Sequence, residues 1–231
     1  MPCRARPVSE FRDPPAFAEQ LFAIMQGVAT LMELAPEPPA PDVSPGPFDS
    51  ILSELPPPTF DLAKRFDRPH EFLQCVLDMV RVNFEPNPPG TLFLNSNLDF
   101  LLQGIPSEPF RLGHVSLTGE ADDDSPAFWR GQVVPKLQRC GYAVGAASAL
   151  YAVVSTAPDK LSMRLIVDVL ETLDAGFTAD EALGLMAGHL PAAEDALRVD
   201  SYAGFCYDEA LGDRLRLSLW LFMDAEPLKA Q

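Results

Sequence analysis

Residues 141–157, GYAVGAASALYAVVSTA, form a long stretch without a charge. Gly141, Gly145 and Ala149 are spaced four apart, which on a helix puts small residues on one face where another backbone can approach closely. Because the remaining faces are apolar too, the pattern predicts a helix that is buried on nearly every side. A strand over residues 150–156 stays an alternative, since short apolar runs do not separate the two periods. A membrane span is less favoured, because the run is shorter than the about 20 residues required and Pro158 ends it.

Apolar residues at helical spacing predict several further helices. One begins at Asp13-Pro14-Pro15 and runs to about residue 35, and another covers residues 69–84. The predicted buried face of the second helix consists of Phe72, Val76, Met79, Val80 and Phe84. Glu71, Asp78 and Arg81 are predicted to face water. A capping box and a C-terminal glycine predict a helix pair over residues 160–190.

In the C-terminal quarter of the chain, the spacing of apolar residues changes from the helical period to one typical of strands. Residues 199–207 and 214–223 are rich in aromatic and aliphatic side chains, and the short connection between them predicts a β-hairpin packed on the helices. An alternating segment at residues 111–118 predicts one more strand. The predicted fold class is α+β and predominantly α-helical, with a helical core around the buried apolar helix and a small C-terminal hairpin.

The first 60 residues are predicted to form two units ahead of the main domain. Residues 1–35 form an N-terminal segment with one apolar helix, and residues 36–59, with nine prolines, form a semi-rigid linker or arm. Residues 60–231 form the main globular domain. Within the arm, one short amphipathic turn could dock in a partner's groove, although packing on its own domain is the simpler interpretation. Its apolar residues are Phe48, Ile51, Leu52 and Leu55.

The net charge of the chain limits the classes of molecule that it can be expected to bind. The chain carries 33 acidic and 17 basic residues, a formal net charge of −16, and both halves are acidic. Such a surface repels phosphate backbones, and no basic stripe with interleaved aromatic residues is present. The composition therefore argues against nucleic-acid binding and favours a protein partner, in particular a basic one.

One dense group of ionisable side chains occurs at Glu120, Asp122, Asp123 and Asp124. These carboxylates could gather Ca²⁺ or Mg²⁺, but the glycine of a calcium-binding loop is missing and adjacent aspartates point in different directions. We interpret them as a solvated loop that belongs to the partner-binding surface, and we assign no metal.

No local pattern indicates catalysis or a cofactor. The sequence has no G-x-S-x-G and no Cys/His motif, and Gly141-x-x-x-Gly145 lacks the Lys-Ser/Thr of a phosphate loop. His114 and His189 are interpreted as structural. The four cysteines are scattered without C-x-x-C spacing, which predicts a cytoplasmic or other reducing compartment and no local zinc site. The N-terminus has no apolar segment of a signal peptide.

Two classes of function remain. The first is a non-enzymatic interaction protein or structural subunit of a larger assembly, including an acidic inhibitor or immunity-type protein for a basic partner. Under this hypothesis, removing residues 1–58 leaves a folded body and abolishes assembly. The second is an enzyme whose site is assembled from distant residues, with a metal held by carboxylates and a histidine.

Overall fold

The computed structural model describes residues 9–34, 62, 65–66, 68–85, 104–120, 128–140, 142, 147–165, 167 and 200–225. Its five strands are β1 (Ser9–Phe11), β2 (Phe110–Glu120), β3 (Ala147–Thr156), β4 (Asp200–Tyr207) and β5 (Arg214–Asp224). Its longer helices are α1 (Pro14–Leu34), α2 (Pro69–Phe84) and α3 (Val134–Arg139). A π-helical turn at Trp129–Val133 leads directly into α3, and a 3₁₀ turn at Glu209–Leu211 follows β4.

The strands form one mixed sheet in the order β1-β2-β5-β3-β4. β5 runs antiparallel to both of its neighbours, β2 and β3, and β1 is antiparallel to β2. β3 and β4 are parallel. A five-stranded sheet therefore organises the described chain, and the prediction of a predominantly helical core with a small hairpin is wrong.

The uncharged stretch at residues 141–157 contains a strand and not the predicted buried helix. Residues 147–156 form β3, and every residue from Ala149 to Thr156 is buried. β3 lies between β4 and β5 and has packed side chains on both faces, so its sequence shows no polar alternation. The small residues of the uncharged stretch are spaced as on one face of a helix, which explains the wrong prediction. The alternative prediction of a strand over residues 150–156 is confirmed.

The two C-terminal strands exist as predicted, but they do not pair with each other. β3 lies between β4 and β5, so the predicted hairpin is wrong. The short connection instead crosses the end of β3, where the Asp208 N–H donates to Thr156 O at 2.9 Å. Gly212, with a φ of 57°, supplies the left-handed backbone that turns the chain into β5. Sequence adjacency indicated a hairpin because a short connection does not reveal an inserted third strand.

The two long helices begin where the sequence predicted. Asp13 caps α1 by accepting a hydrogen bond from the Ala16 N–H at 3.0 Å, and Pro69 is the first residue of α2. The predicted faces of α2 need four corrections. The side chains of Glu71 and Arg81, predicted to face water, are only 13% and 20% exposed. Phe84, predicted to be buried, is 42% exposed, and Asp78, predicted to face water, is fully buried.

The two faces of the sheet carry separate apolar cores. α1 and α2 cover one face, where β5 contributes Trp220 and Phe222. The π-helical turn and α3 cover the other face together with Leu161, and β5 contributes its odd-numbered leucines there. Because alternate residues of a strand point to opposite faces, β5 supplies both cores. The π-helical turn and α3 are continuous, and Pro135 lies in the first turn of α3.

Much of the predicted helix pair at residues 160–190 lies outside the described residues, which include a helical turn at residues 163–165. The proline-rich segment at residues 36–59 also lies outside them, so the predicted division into units remains a prediction. Among the helices that the structure describes, none combines the length and the apolar character needed to cross a bilayer.

Glycine is required at one position of β2 for lack of space. A Cβ on Gly119 would lie 2.1 Å from the ring of Phe128, whereas a Cβ on Gly131 would meet nothing within 4 Å. We expect Gly119→Ala to lower the free energy of unfolding by about 1–3 kcal/mol through overpacking. The matched control, Gly131→Ala, is expected to be neutral or to stabilise by up to about 1 kcal/mol. Urea denaturation of both variants measures the difference, and equal stabilities would contradict the packing argument.

Candidate functional site

The polar side chains buried on the sheet gather under α2 in two groups. The first group, called here the ionic cluster, consists of Asp78, Arg81, Asp208, Arg216 and Ser218. They come from α2, from the residue after β4 and from the first half of β5. Strand alternation places Arg216 and Ser218 on the same face of β5 as Trp220, so they point toward α2. The cluster therefore replaces apolar packing at one end of the α2 interface.

Asp78 is the centre of the ionic cluster. The Arg216 guanidinium binds it through two atoms, Nε to Oδ2 at 2.9 Å and Nη2 to Oδ1 at 2.6 Å. The Ser218 hydroxyl donates to Oδ2 at 2.6 Å, and Gln74 Nε2 donates to Oδ1 at 3.1 Å. Four donors thus compensate a carboxylate that has no exposed surface, as a buried charge requires.

Asp208 joins the two arginines of the ionic cluster. Its Oδ2 accepts from Arg216 Nη2 at 2.8 Å and lies 2.9 Å from Arg81 Nη1. Burial alone would raise the pKa of Asp208, but the two guanidinium groups outweigh it and hold that pKa below its ordinary value. Burial likewise opposes the charge on Arg216, and the carboxylates of Asp78 and Asp208 raise its pKa in spite of it. The formal charges of the two arginines and the two aspartates in the cluster cancel.

The second group, called here the edge cluster, consists of Arg68, Glu71, His114, Ser116, Lys136 and Tyr142. Within the described residues, β1 pairs with residues 110–112 of β2, and the next residues of β2 are bound by side chains of other elements. Arg68 Nη2 donates to His114 O at 3.1 Å, and Lys136 Nζ donates to Ser116 O at 2.9 Å. Glu71 Oε1 accepts from the Ser116 N–H at 2.9 Å. Side chains thus bind the backbone groups of this edge, which protects it from pairing with another strand.

The same side chains also bind one another. Glu71 forms ion pairs with Arg68 and with Lys136, and Arg68 Nη2 lies 3.5 Å from the Tyr142 hydroxyl. Burial is the main reason why the pKa of Tyr142 is raised, which keeps its phenol protonated. Each charge of the edge cluster therefore has an opposite charge beside it.

A pair of serines connects the two clusters. Ser116 Oγ and Ser218 Oγ are 3.0 Å apart across the directly opposed positions of β2 and β5. The carboxylate of Asp78 can only accept, so the Ser218 hydroxyl donates to it and the Ser116 hydroxyl donates to Ser218. One continuous set of hydrogen bonds therefore runs from the edge of β2 to the centre of the sheet and holds α2 in place.

The structure tests only part of the partner-binding residues predicted from the sequence. Glu120 is the last residue of β2 and lies opposite Arg214 of β5. Asp122, Asp123 and Asp124 lie outside the described residues, and so do the apolar residues of the arm, Phe48, Ile51, Leu52 and Leu55. Their role in binding remains a prediction.

Sequence reasoning missed both clusters. Helical periodicity predicts that Asp78 faces water, and the sequence analysis assigns no role to Arg216 within the strand predicted at residues 214–223. A signal was present, because Arg216 and Ser218 are polar residues inside an otherwise apolar segment of nine residues. A charge at such a position requires a buried partner of opposite charge, which only a second element can supply.

Cysteine thiols and other side chains of the types that bind metals are also present in the described chain. Cys75 and Cys206 are buried free thiols, and burial raises the pKa of Cys206 to about 12, so this sulfur remains protonated and a poor nucleophile. Within the ranges that the structure describes, no three His, Cys, Asp or Glu side chains are arranged to hold a metal ion.

No family model and no curated protein matches the chain. Among solved structures, it is similar to the GTPγS-bound protofilament of CetZ2 from Haloferax volcanii, with 13% identity and a TM-score of 0.40. A second similar structure is CetZ from Methanosaeta thermophila, with 18% identity and a TM-score of 0.39. The matches cover 71% and 72% of this chain but only 42% and 39% of those proteins. Because both TM-scores are below 0.5, the architecture rests on the strand order of this chain alone.

Proposed function

We propose that this chain is a non-enzymatic binding subunit that recognises a basic protein through its acidic surface. The observation that supports the proposal is the placement of its cations. Four of the 17 basic residues, Arg68, Arg81, Lys136 and Arg216, lie in the two clusters. Only three of the 33 acidic residues lie there with them, namely Glu71, Asp78 and Asp208.

The remainder of the chain is therefore more acidic than its composition suggests. Outside the two clusters there are 30 acidic and 13 basic residues, a formal charge of −17. Exposed carboxylates include Glu19 in α1, Glu108 in the bend before β2 and Glu209 in the 3₁₀ turn. A surface of one sign attracts a partner of the opposite sign during diffusional encounter and disfavours acidic competitors.

The arm at residues 36–59 is the second part of the proposal. Its nine prolines predict an extended arm from composition alone, and Phe48, Ile51, Leu52 and Leu55 would supply its apolar anchor. Charge would then determine the rate of encounter, and the anchor would slow dissociation.

The proposal is tested with the full chain as bait in an extract of its native source. A triple variant, Glu19→Lys, Glu108→Lys and Glu209→Lys, changes the formal net charge from −16 to −10 without altering the buried clusters. We expect a basic protein at near one-to-one abundance with the unmodified chain, and at least about tenfold less of it with the triple variant. Quantitative mass spectrometry of the bound fraction measures both.

The matched control replaces the same three residues by aspartate, which keeps every charge and is expected to capture as much partner as the unmodified chain. Salt provides a second measurement, since an electrostatic complex weakens as the Debye length shortens. An acidic partner, a partner held equally by the lysine variant, or a bait that captures no stoichiometric protein would each refute the proposal.

A further inference from the structure

His114 and Arg68 are joined by two reciprocal hydrogen bonds at the point where α2 begins. His114 Nε2 lies 3.3 Å from Arg68 O, and Arg68 Nη2 donates to His114 O at 3.1 Å. A carbonyl oxygen only accepts, so Nε2 carries the proton and Nδ1 of the neutral ring is an acceptor. Nδ1 is buried and has no hydrogen-bond partner in the described part of the chain.

The surroundings of the His114 ring oppose a second proton. The ring packs edge-to-face against Phe66, with ring centroids 5.0 Å apart, and against Phe72, at 5.7 Å. The ionisable groups that face it from the other elements are Arg68, Glu71 and Lys136, two cations against one carboxylate. An imidazolium here would have an unpaired N–H in an apolar site beside a guanidinium.

Closure of the β2 edge depends on the same contacts. Arg68 is the residue before α2 and donates to His114 O. Glu71 lies in the first turn of α2 and accepts from the Ser116 N–H. If the start of α2 moves away, these bonds to β2 are lost together. The position of one helix end therefore decides whether His114 O and the Ser116 N–H keep these partners, whereas Ser116 O has a separate partner in Lys136.

We propose that His114 is an acid-sensitive latch, whose protonation releases the start of α2 from β2 and opens the β2 edge at residues 114–116. The latch is separate from the acidic surface and does not depend on it. In the open state the imidazolium is solvated, Arg68 moves away from it, and the Ser116 N–H exchanges Glu71 for water.

The direction of the pH effect follows from the two states. Burial, followed by the nearby Arg68, lowers the pKa of His114 to about 4 in the closed state, against an ordinary value near 6.5 for an exposed histidine. Opening is therefore unaffected by pH above about 6.5 and becomes more favourable as pH falls from there toward 4. Between pH 7 and pH 5 these values give an increase of about 20-fold in the opening constant.

Amide hydrogen exchange followed by NMR tests the latch on the unmodified chain. We expect the protection factor of the Ser116 amide, corrected for the intrinsic pH dependence of exchange, to fall about 20-fold between pH 7 and pH 5. The amide of Val153, in the middle of β3, should remain protected. An unchanged Ser116 protection factor overturns the proposal, and so does an equal fall at Val153, which would indicate global unfolding.

Two variants identify the group that titrates. His114→Phe keeps an aromatic ring between Phe66 and Phe72 but has no proton to bind, so Ser116 protection is expected to be independent of pH. Glu71→Gln keeps an acceptor for the Ser116 N–H and removes the carboxylate, so the pH dependence is expected to persist. Loss of the pH dependence in Glu71→Gln would make Glu71 the sensor and overturn the proposal.

A direct titration requires no variant and therefore does not depend on whether His114→Phe folds. The ring carbon protons of His114, followed by NMR from pH 8 to pH 4, are expected to show no transition above about pH 5. A midpoint between pH 6 and pH 7 would show that the ring takes up its proton without opening the edge, which also overturns the proposal.

Discussion

Replacing Asp78 with alanine is expected to lower the free energy of unfolding by about 3–5 kcal/mol, because it leaves the Arg216 guanidinium buried without its main partner. Arg216 is 9% exposed, and Asp78 accepts two of its hydrogen bonds. Asp208 still accepts one bond, so the variant keeps part of the compensation. Urea denaturation, followed by circular dichroism, measures the loss.

A double variant separates the cost of the unpaired charge from the value of the pair. Asp78→Ala with Arg216→Met removes both charges and keeps an apolar side chain in β5, so it is expected to be more stable than Asp78→Ala alone. Gln74→Ala, which removes one neutral donor to Asp78, should cost only about 1 kcal/mol. A double variant that is no more stable than Asp78→Ala would show that Arg216 tolerates burial without Asp78 as its partner.

Removal of residues 1–34 is expected to abolish cooperative folding of the remaining chain. Six large apolar side chains of β1 and α1 are buried in the same core as α2 and the sheet: Phe11, Phe17, Leu21, Ile24, Met25 and Val28. At about 1.5–3 kcal/mol each, their burial contributes roughly 9–18 kcal/mol, which matches or exceeds the usual stability of a domain. Near-UV circular dichroism and a thermal melt of residues 35–231 measure the effect.

Point variants of α1 provide the graded test. The Phe17 ring packs against Phe11 and Phe110, with centroids 4.6 and 5.2 Å apart, so Phe17→Ala should cost about 3–5 kcal/mol. Gln20→Ala, on the exposed face of the same helix, should change the stability by less than about 0.5 kcal/mol. A cooperative melt of residues 35–231 would contradict this expectation and would favour the sequence-based hypothesis that residues 1–58 are dispensable for folding.

Local signals in the sequence were sufficient for single elements. The Asp13-Pro14-Pro15 start predicted α1, Pro69 predicted the first residue of α2, and alternation at residues 111–118 predicted β2. These features act within a few residues of the chain, through capping, proline geometry and side-chain period, so no tertiary information is needed to read them.

The predictions that were wrong concern features that depend on residues close in space but distant in sequence. β3 was interpreted as a helix because a strand covered on both faces loses its polar alternation. β4 and β5 were paired because nothing in their sequences reveals that β3 lies between them. Asp78 was placed in water because helical periodicity assigns a carboxylate to the outer face, whereas the opposite charge that compensates its burial comes from Arg216, 138 residues away.

The ionic cluster and the edge cluster were not predicted from the sequence for the same reason. Glu71, His114 and Lys136 come from three different elements, and no local spacing brings them together. His114 lies in β2, within the strand predicted at residues 111–118, but its reciprocal contact with Arg68 could not be derived from sequence.

The position of β5 has a consequence for biosynthesis. β2 and β3 both pair with β5, which is the last strand of the described chain to leave the ribosome. Until residues 214–224 emerge, the earlier strands expose apolar faces and unpaired backbone groups without the partner that joins them. Folding of the sheet is therefore expected to begin only after residues 214–224 have emerged, with a high contact order, a slow rate and a period in which nascent chains need a chaperone.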